Sequence, residues 1–113
     1  MATALLSLSA LPGIASEFER IKSASTFKSK VADRKAVTDW GWVMSRSDGT
    51  LVGKVNGEPG RGVWEWKRGF YCRTFSYASQ SLPNNCQAVF ISGDTLVFIR
   101  DWGQGDQTVL KLQ

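Results

Sequence analysis

The chain predicts a mainly β fold: an antiparallel meander of about seven or eight short strands, closed as a small barrel or folded as a sandwich, with a short N-terminal amphipathic helix. Three observations carry this. From residue 35 onward, apolar and β-branched residues run in short segments that fit strands, several of them alternating with polar ones. Turn dipeptides recur at hairpin spacing: Asp48 with Gly49, Arg68 with Gly69, Gly93 with Asp94. A length of 113 residues at 42% apolar composition suits one domain with a thin core.

Residues 1–16 carry no charge. Their apolar run is too short to cross a bilayer and ends at Pro12 and Gly13. Small residues follow at Gly13 and Ala15, as at a leader cleavage site. This segment is expected to be the remnant of an export signal. The folded domain is then 17–113, in the periplasm or secreted, with no stable membrane insertion.

Residues 17–31 show helical spacing. Phe18, Ile21, the Ala24/Ser25 pair, Phe27 and Val31 recur at three and four, which suggests a modest amphipathic helix or a pair of turns. Residues 34–37 suggest a short strand. Trp40, Trp42 and Met44 alternate with Gly41, Val43 and Ser45 ahead of the Asp48 and Gly49 turn. Leu51, Gly53 and Val55 form the next strand. The segments 56–60 and 79–85 hold Pro, Gly and Asn and suggest loops. Residues 63–66 pair with 70–77, 86–91 pair with 95–101, and 108–112 close the chain after a turn at 103–106.

Register then sorts the side chains. A two-residue turn at Arg68 and Gly69 sets Trp66 opposite Tyr71 and Trp64 opposite Arg73. The same turn at Gly93 and Asp94 sets Ile91 opposite Leu96, Val89 opposite Phe98, and Gln87 opposite Arg100. One face collects Trp64, Trp66, Tyr71, Arg73, Phe75, Gln87, Val89, Ile91, Leu96, Phe98, Arg100 and Trp102, with Trp40, Trp42, Met44 and Leu51 joining it. This face is the expected interior. The other face holds Val63, Phe70, Ala88, Phe90, Val97 and Ile99. It needs a cover, and the helix bearing Phe18, Ile21 and Phe27 is the candidate.

Cys72 and Cys86 are an even pair in an apparently exported domain, so a disulfide is expected. Two cysteines without histidine do not make the usual zinc site, and no metal or other cofactor is expected. The absence of histidine also removes the usual general base. Carboxylates Glu65, Asp94 and Asp101 are scattered, and no nucleophile–base constellation stands out. Catalysis is therefore not expected.

The net charge is +4, and residues 17–35 account for +3 of it, with six basic against three acidic side chains. The charge and the aromatics lie in different segments, unlike a nucleic-acid surface, so no nucleic-acid partner is expected. Arg73 and Arg100 on an aromatic face are the anomaly. They either pair internally or grip an anion, since a guanidinium matches a carboxylate in bidentate fashion. The site expected on this ground is Trp64, Trp66, Tyr71, Arg73, Arg100 and Trp102, taking a small apolar or anionic ligand. The alternative is an interaction protein that contacts a partner or an envelope surface through its basic helix.

The run G-x-W-x-W-x-x-G-F-Y-C-R over 62–73 is followed by Asn85, Cys86 and Gln87, by Gly93 and Asp94, and by Gly103 and Gly105. This set resembles small exported proteobacterial proteins of uncharacterised role that share a leader, a Phe-x-x-x-Val segment (Phe27 and Val31) and an Asp-Gly turn (Asp48 and Gly49). Some of them bear the label dihydrodipicolinate reductase. A dinucleotide site needs a strand, a Gly-rich turn and a helix in sequence, and the glycines Gly57, Gly60 and Gly62 lack that context.

Overall fold

The computed structural model describes residues 17–113, so the leader assigned to 1–16 lies outside the described residues. In chain order the elements are β1 (Glu19–Ile21), α1 (Ala24–Lys30), β2 (Ala36–Thr38), β3 (Gly41–Ser45), β4 (Thr50–Val55), β5 (Glu58–Lys67), β6 (Phe70–Tyr77), β7 (Gln80–Ser92), β8 (Thr95–Ile99), α2 (Arg100–Gly103) and β9 (Gln107–Leu112). Strands β2 to β9 form a closed antiparallel barrel. The hairpins carry the sheet from β2 round to β8 and β9, and β9 pairs with β2 to shut the ring. Closure leaves these eight strands no free edge. Strand β1 is a ninth. It pairs with β7 over Ile91 to Val89, beyond Gln87, where the β6 ladder stops.

The two hairpin registers hold. Arg68 and Gly69 both take positive φ, 52° and 87°, the pattern of a tight two-residue hairpin turn. Trp66 lies opposite Tyr71 and Trp64 opposite Arg73. Past Gly93 and Asp94, Ile91 faces Leu96 and Val89 faces Phe98. Cys72 lies directly opposite Cys86, and the two form a disulfide on the outer face of the barrel.

The interior buries Ile21, Phe27, Val31, Ala36, Leu51, Val55, Trp64, Tyr71, Phe75, Val89, Ile91, Leu96, Phe98, Leu110 and Leu112. Each large apolar side chain removed from water contributes about 1.5–3 kcal/mol before entropy is counted. A second, smaller cluster of Ala88, Val97 and Ile99 packs outside the barrel with Phe18, Phe70 and Phe90.

Several expectations are corrected. Residues 17–31 do not form one helix. Ser23 takes extended geometry and its hydroxyl accepts from the Thr26 amide at 3.2 Å, so the helix starts only at Ala24. The residues before it extend as β1. Nor does the helix cover the outer face. Phe27 and Ile21 point into the barrel and fill one end of it. The outer cluster is covered instead by Phe18, by the Arg20 guanidinium 4.6 Å from the Phe70 ring, and by Trp102, edge-on to Phe70 at 5.1 Å.

On β3, Val43 and Ser45 face inward while Trp42 and Met44 face out. Gly41 lies between two tryptophans at φ 147°, where a Cβ would strike the Lys54 carbonyl. This kink breaks the alternation, so Trp40 and Trp42 point opposite ways. The segments expected as loops are largely strand. Residues 56–57 alone turn between β4 and β5, and β7 begins at Gln80. In β7, Pro83 and Asn84 bulge between the pairs Phe75–Leu82 and Arg73–Asn85. A bulge accommodates a proline that cannot donate to the ladder.

The cations of residues 17–35 are dispersed. Arg34 pairs with Asp94 at 3.4 Å, Lys35 lies 4.4 Å over the Trp42 ring, and Lys28 and Lys30 sit in the last turn of α1. Among the described residues no helix is long and apolar enough to cross a membrane.

Candidate ligand-binding cavity

The hairpins alternate between the two barrel ends. Turns at 46–49, 68–69 and 93–94 lie at one end; those at 39–40, 56–57 and 78–79, with α2, lie at the other. Helix α1 belongs to the first end. The Asp33 amide donates to the Ser45 carbonyl there, and Arg34 reaches Asp94. The Phe27 ring centroid is 5.0 Å from Trp64, 5.4 Å from Trp66 and 5.1 Å from Tyr71. These four rings close that end. The Trp64 indole donates to the Arg46 carbonyl at 2.8 Å and the Trp66 indole to the Lys22 carbonyl at 3.3 Å. Both indoles therefore have protein partners, and for buried Trp64 that partner replaces lost water.

The other end is hollow. A cavity of about 370 Å³ runs from Tyr71 toward the 39–40 and 56–57 turns. Its walls are Val43, Leu51, Val55, Phe75, Leu82, Phe98 and Leu110, with Trp40 and Tyr77 nearer the mouth. The polar lining is Asn56, Arg73, Gln87, Arg100 and Thr108. An apolar chamber with a few polar groups, at 300–1,000 Å³, is the usual form of a small-molecule site.

Space in the chamber depends on Gly60 in β5. The Phe75 ring lies over Gly60, so closely that a Cβ there would collide with it. The floor is Tyr71. It is 3% exposed, and its hydroxyl shares a 2.7 Å hydrogen bond with Ser45 Oγ. Burial pushes the Tyr71 phenol up to about 12, with the Ser45 bond and the nearby Arg73 charge pulling the other way.

Arg73 is partly buried in the wall. Its Nη1 donates to the Pro83 carbonyl in the β7 bulge at 3.0 Å. The ion pairs among the described residues are Arg34–Asp94 and Lys67–Glu65, so neither Arg73 nor Arg100 has a carboxylate partner there. Burial holds the Arg73 guanidinium below its ordinary pKa, and the Arg100 charge adds to this while Tyr71 opposes it.

Arg100 is set at the rim by the chain that follows it. Asp101 and Trp102 both take left-handed geometry, φ 55° and 59°. Non-glycine residues held there cost on the order of 1–3 kcal/mol each. Asn85 holds the turn: its Nδ2 donates to Asp101 Oδ1 at 2.8 Å, and its Oδ1 accepts from the Asp101 amide at 3.0 Å.

The expected site thus divides in three. Tyr71, Arg73 and Arg100 line the cavity. Trp64 and Trp66 lie below its floor, in the aromatic plug. Trp102 lies outside the barrel against Phe70, because the left-handed turn ends the alternation that had placed it inside. Trp40, Tyr77, Leu82 and Thr108 were not singled out as site residues. Leu82 lay in an expected loop, where alternation says nothing. Gln87 had a signal: it is the polar member of an inward-facing row.

No protein-family model matches the chain, and searches of curated proteins and of solved structures likewise returned no match.

Proposed function

We propose that the protein is a non-catalytic binding protein that takes a small apolar or amphipathic molecule into the open end of its barrel. The observation that carries this reading is the hollow chamber of about 370 Å³, walled by apolar side chains and closed below by the Phe27 plug. Core packing normally leaves no such volume. Export belongs to the same proposal. The Cys72–Cys86 bridge suits an oxidising compartment, the periplasm or the cell exterior, and the resemblance to small exported proteins points the same way.

The test is a titration with an environment-sensitive apolar dye, followed by competition with alkyl acids and alcohols. Saturable one-to-one binding is expected. The variant Val55→Trp, which fills the chamber, should abolish it. Dye binding that survives the filled chamber places the dye on the outer surface and refutes the proposal.

A further inference from the structure

Three features of the cavity wall point to the head group of its occupant. First, Arg73 spends one of its five N–H donors on Pro83, and the described residues offer it no carboxylate. A half-buried guanidinium beside a second arginine is unfavourable until an anion joins them. Second, Gln87 is 6% exposed and lines the cavity. Among the described residues its side-chain amide makes no hydrogen bond, yet it is not among the fully buried orphan atoms, so the amide opens onto the cavity with its donors free for an occupant. The β7–β8 ladder ends at Ala88 opposite Ile99, so Gln87 and Arg100 each stand one residue beyond its last pair, and both line the cavity. Third, Asn85 faces Arg73 in the β6–β7 ladder and also clamps the turn that carries Arg100. One residue therefore couples the placement of both arginines.

Resting on the proposed binding function, we infer that Arg73, Arg100 and Gln87 form an oxyanion subsite in the cavity wall and that the occupant is a carboxylate with an apolar tail. The two guanidinium forks and the amide supply planar donors, which fit a planar carboxylate. The tail lies along Leu51, Val55, Phe75 and Phe98 toward Tyr71. Asn85 is a positioning residue, acting on the head group through Asp101 and Arg100.

The experiment is calorimetric titration of the full chain with decanoate, decanol and decyl phosphate. Decanoate should bind tightest, about tenfold or more above decanol, as hydrogen bonds to a charged group imply. Arg100→Met, at an exposed position, should close most of that gap by weakening decanoate far more than decanol. Asn85→Ala should narrow the gap in the same direction, and Gln87→Met should do so with the barrel's melting temperature preserved. Equal binding of decanoate and decanol by the wild type overturns the subsite while the binding function stands. Tighter binding of decyl phosphate overturns the carboxylate assignment. Binding of none of the three removes the binding function and the subsite together.

Discussion

Tyr71 and Ser45 hydrogen-bond at 2.7 Å across the barrel lumen. They join β6 to β3, strands separated by two others in the sheet. This contact ties opposite walls together at the floor of the cavity. Tyr71→Phe leaves the Ser45 hydroxyl without that partner, and Ser45→Ala does the same to the phenol. Each should cost about 1–3 kcal/mol in urea unfolding. The double variant should cost less than the two together, since one interaction is lost in all three. Strict additivity would show that the bond contributes nothing.

The same tyrosine makes stability pH-dependent in alkali. Its folded pKa of about 12 lies above the ordinary 10.0. The unfolded chain therefore ionises first, and stability falls as pH rises. The contribution is complete below about pH 10, is lost progressively up to about pH 12, and totals about 2–3 kcal/mol. Unfolding midpoints of the wild type and Tyr71→Phe should converge over this range. Parallel curves would contradict the assignment.

Phe27 connects the helix to the barrel. It is 0% exposed and touches three aromatic rings. Phe27→Ala should cost about 3–5 kcal/mol. Tryptophan emission should shift to the red as water reaches Trp64 and Trp66. A stable variant with unchanged emission would mean that other side chains close this end.

The Cys72–Cys86 bridge spans neighbouring strands with a sequence separation of 14. In the chain-entropy account, closing a loop of this size stabilises by about 3 kcal/mol. Reductant should lower the urea midpoint accordingly, and thiol reagents should find no free sulfur in the native protein beforehand. A midpoint indifferent to reductant would show that the ladder alone holds these strands.

Gly60 keeps the chamber open. Gly60→Ala must displace the Phe75 ring. The expected result is destabilisation of about 1–3 kcal/mol, as for other overpacked sites, together with weaker binding of the dye and of decanoate. Full binding with a shifted Phe75 would show that this ring does not bound the ligand space.

Much of this architecture was legible from local chemistry. Arg68 with Gly69 and Gly93 with Asp94 form turns only two residues long, and such turns leave one register for the strands they join. Strict alternation then assigns faces. That is why Trp64 opposite Arg73, Val89 opposite Phe98, and the Cys72–Cys86 disulfide are legible in the sequence. The reading failed where alternation is interrupted. Gly41 reverses Trp42 and Met44, the Pro83 and Asn84 bulge carries strand pairing through an expected loop, and the left-handed Asp101 and Trp102 eject an expected site residue.

Sequence by itself determined a β meander, its hairpin partners and its disulfide, because each depends on residues near in the chain or on period-two spacing. Tertiary structure alone decided two things: that β2 meets β9 to close a barrel, and that Phe27 fills one end rather than covering the outside. Each of these joins residues far apart in sequence. Their cost is loop closure and their gain is burial, and neither leaves a local mark on the chain.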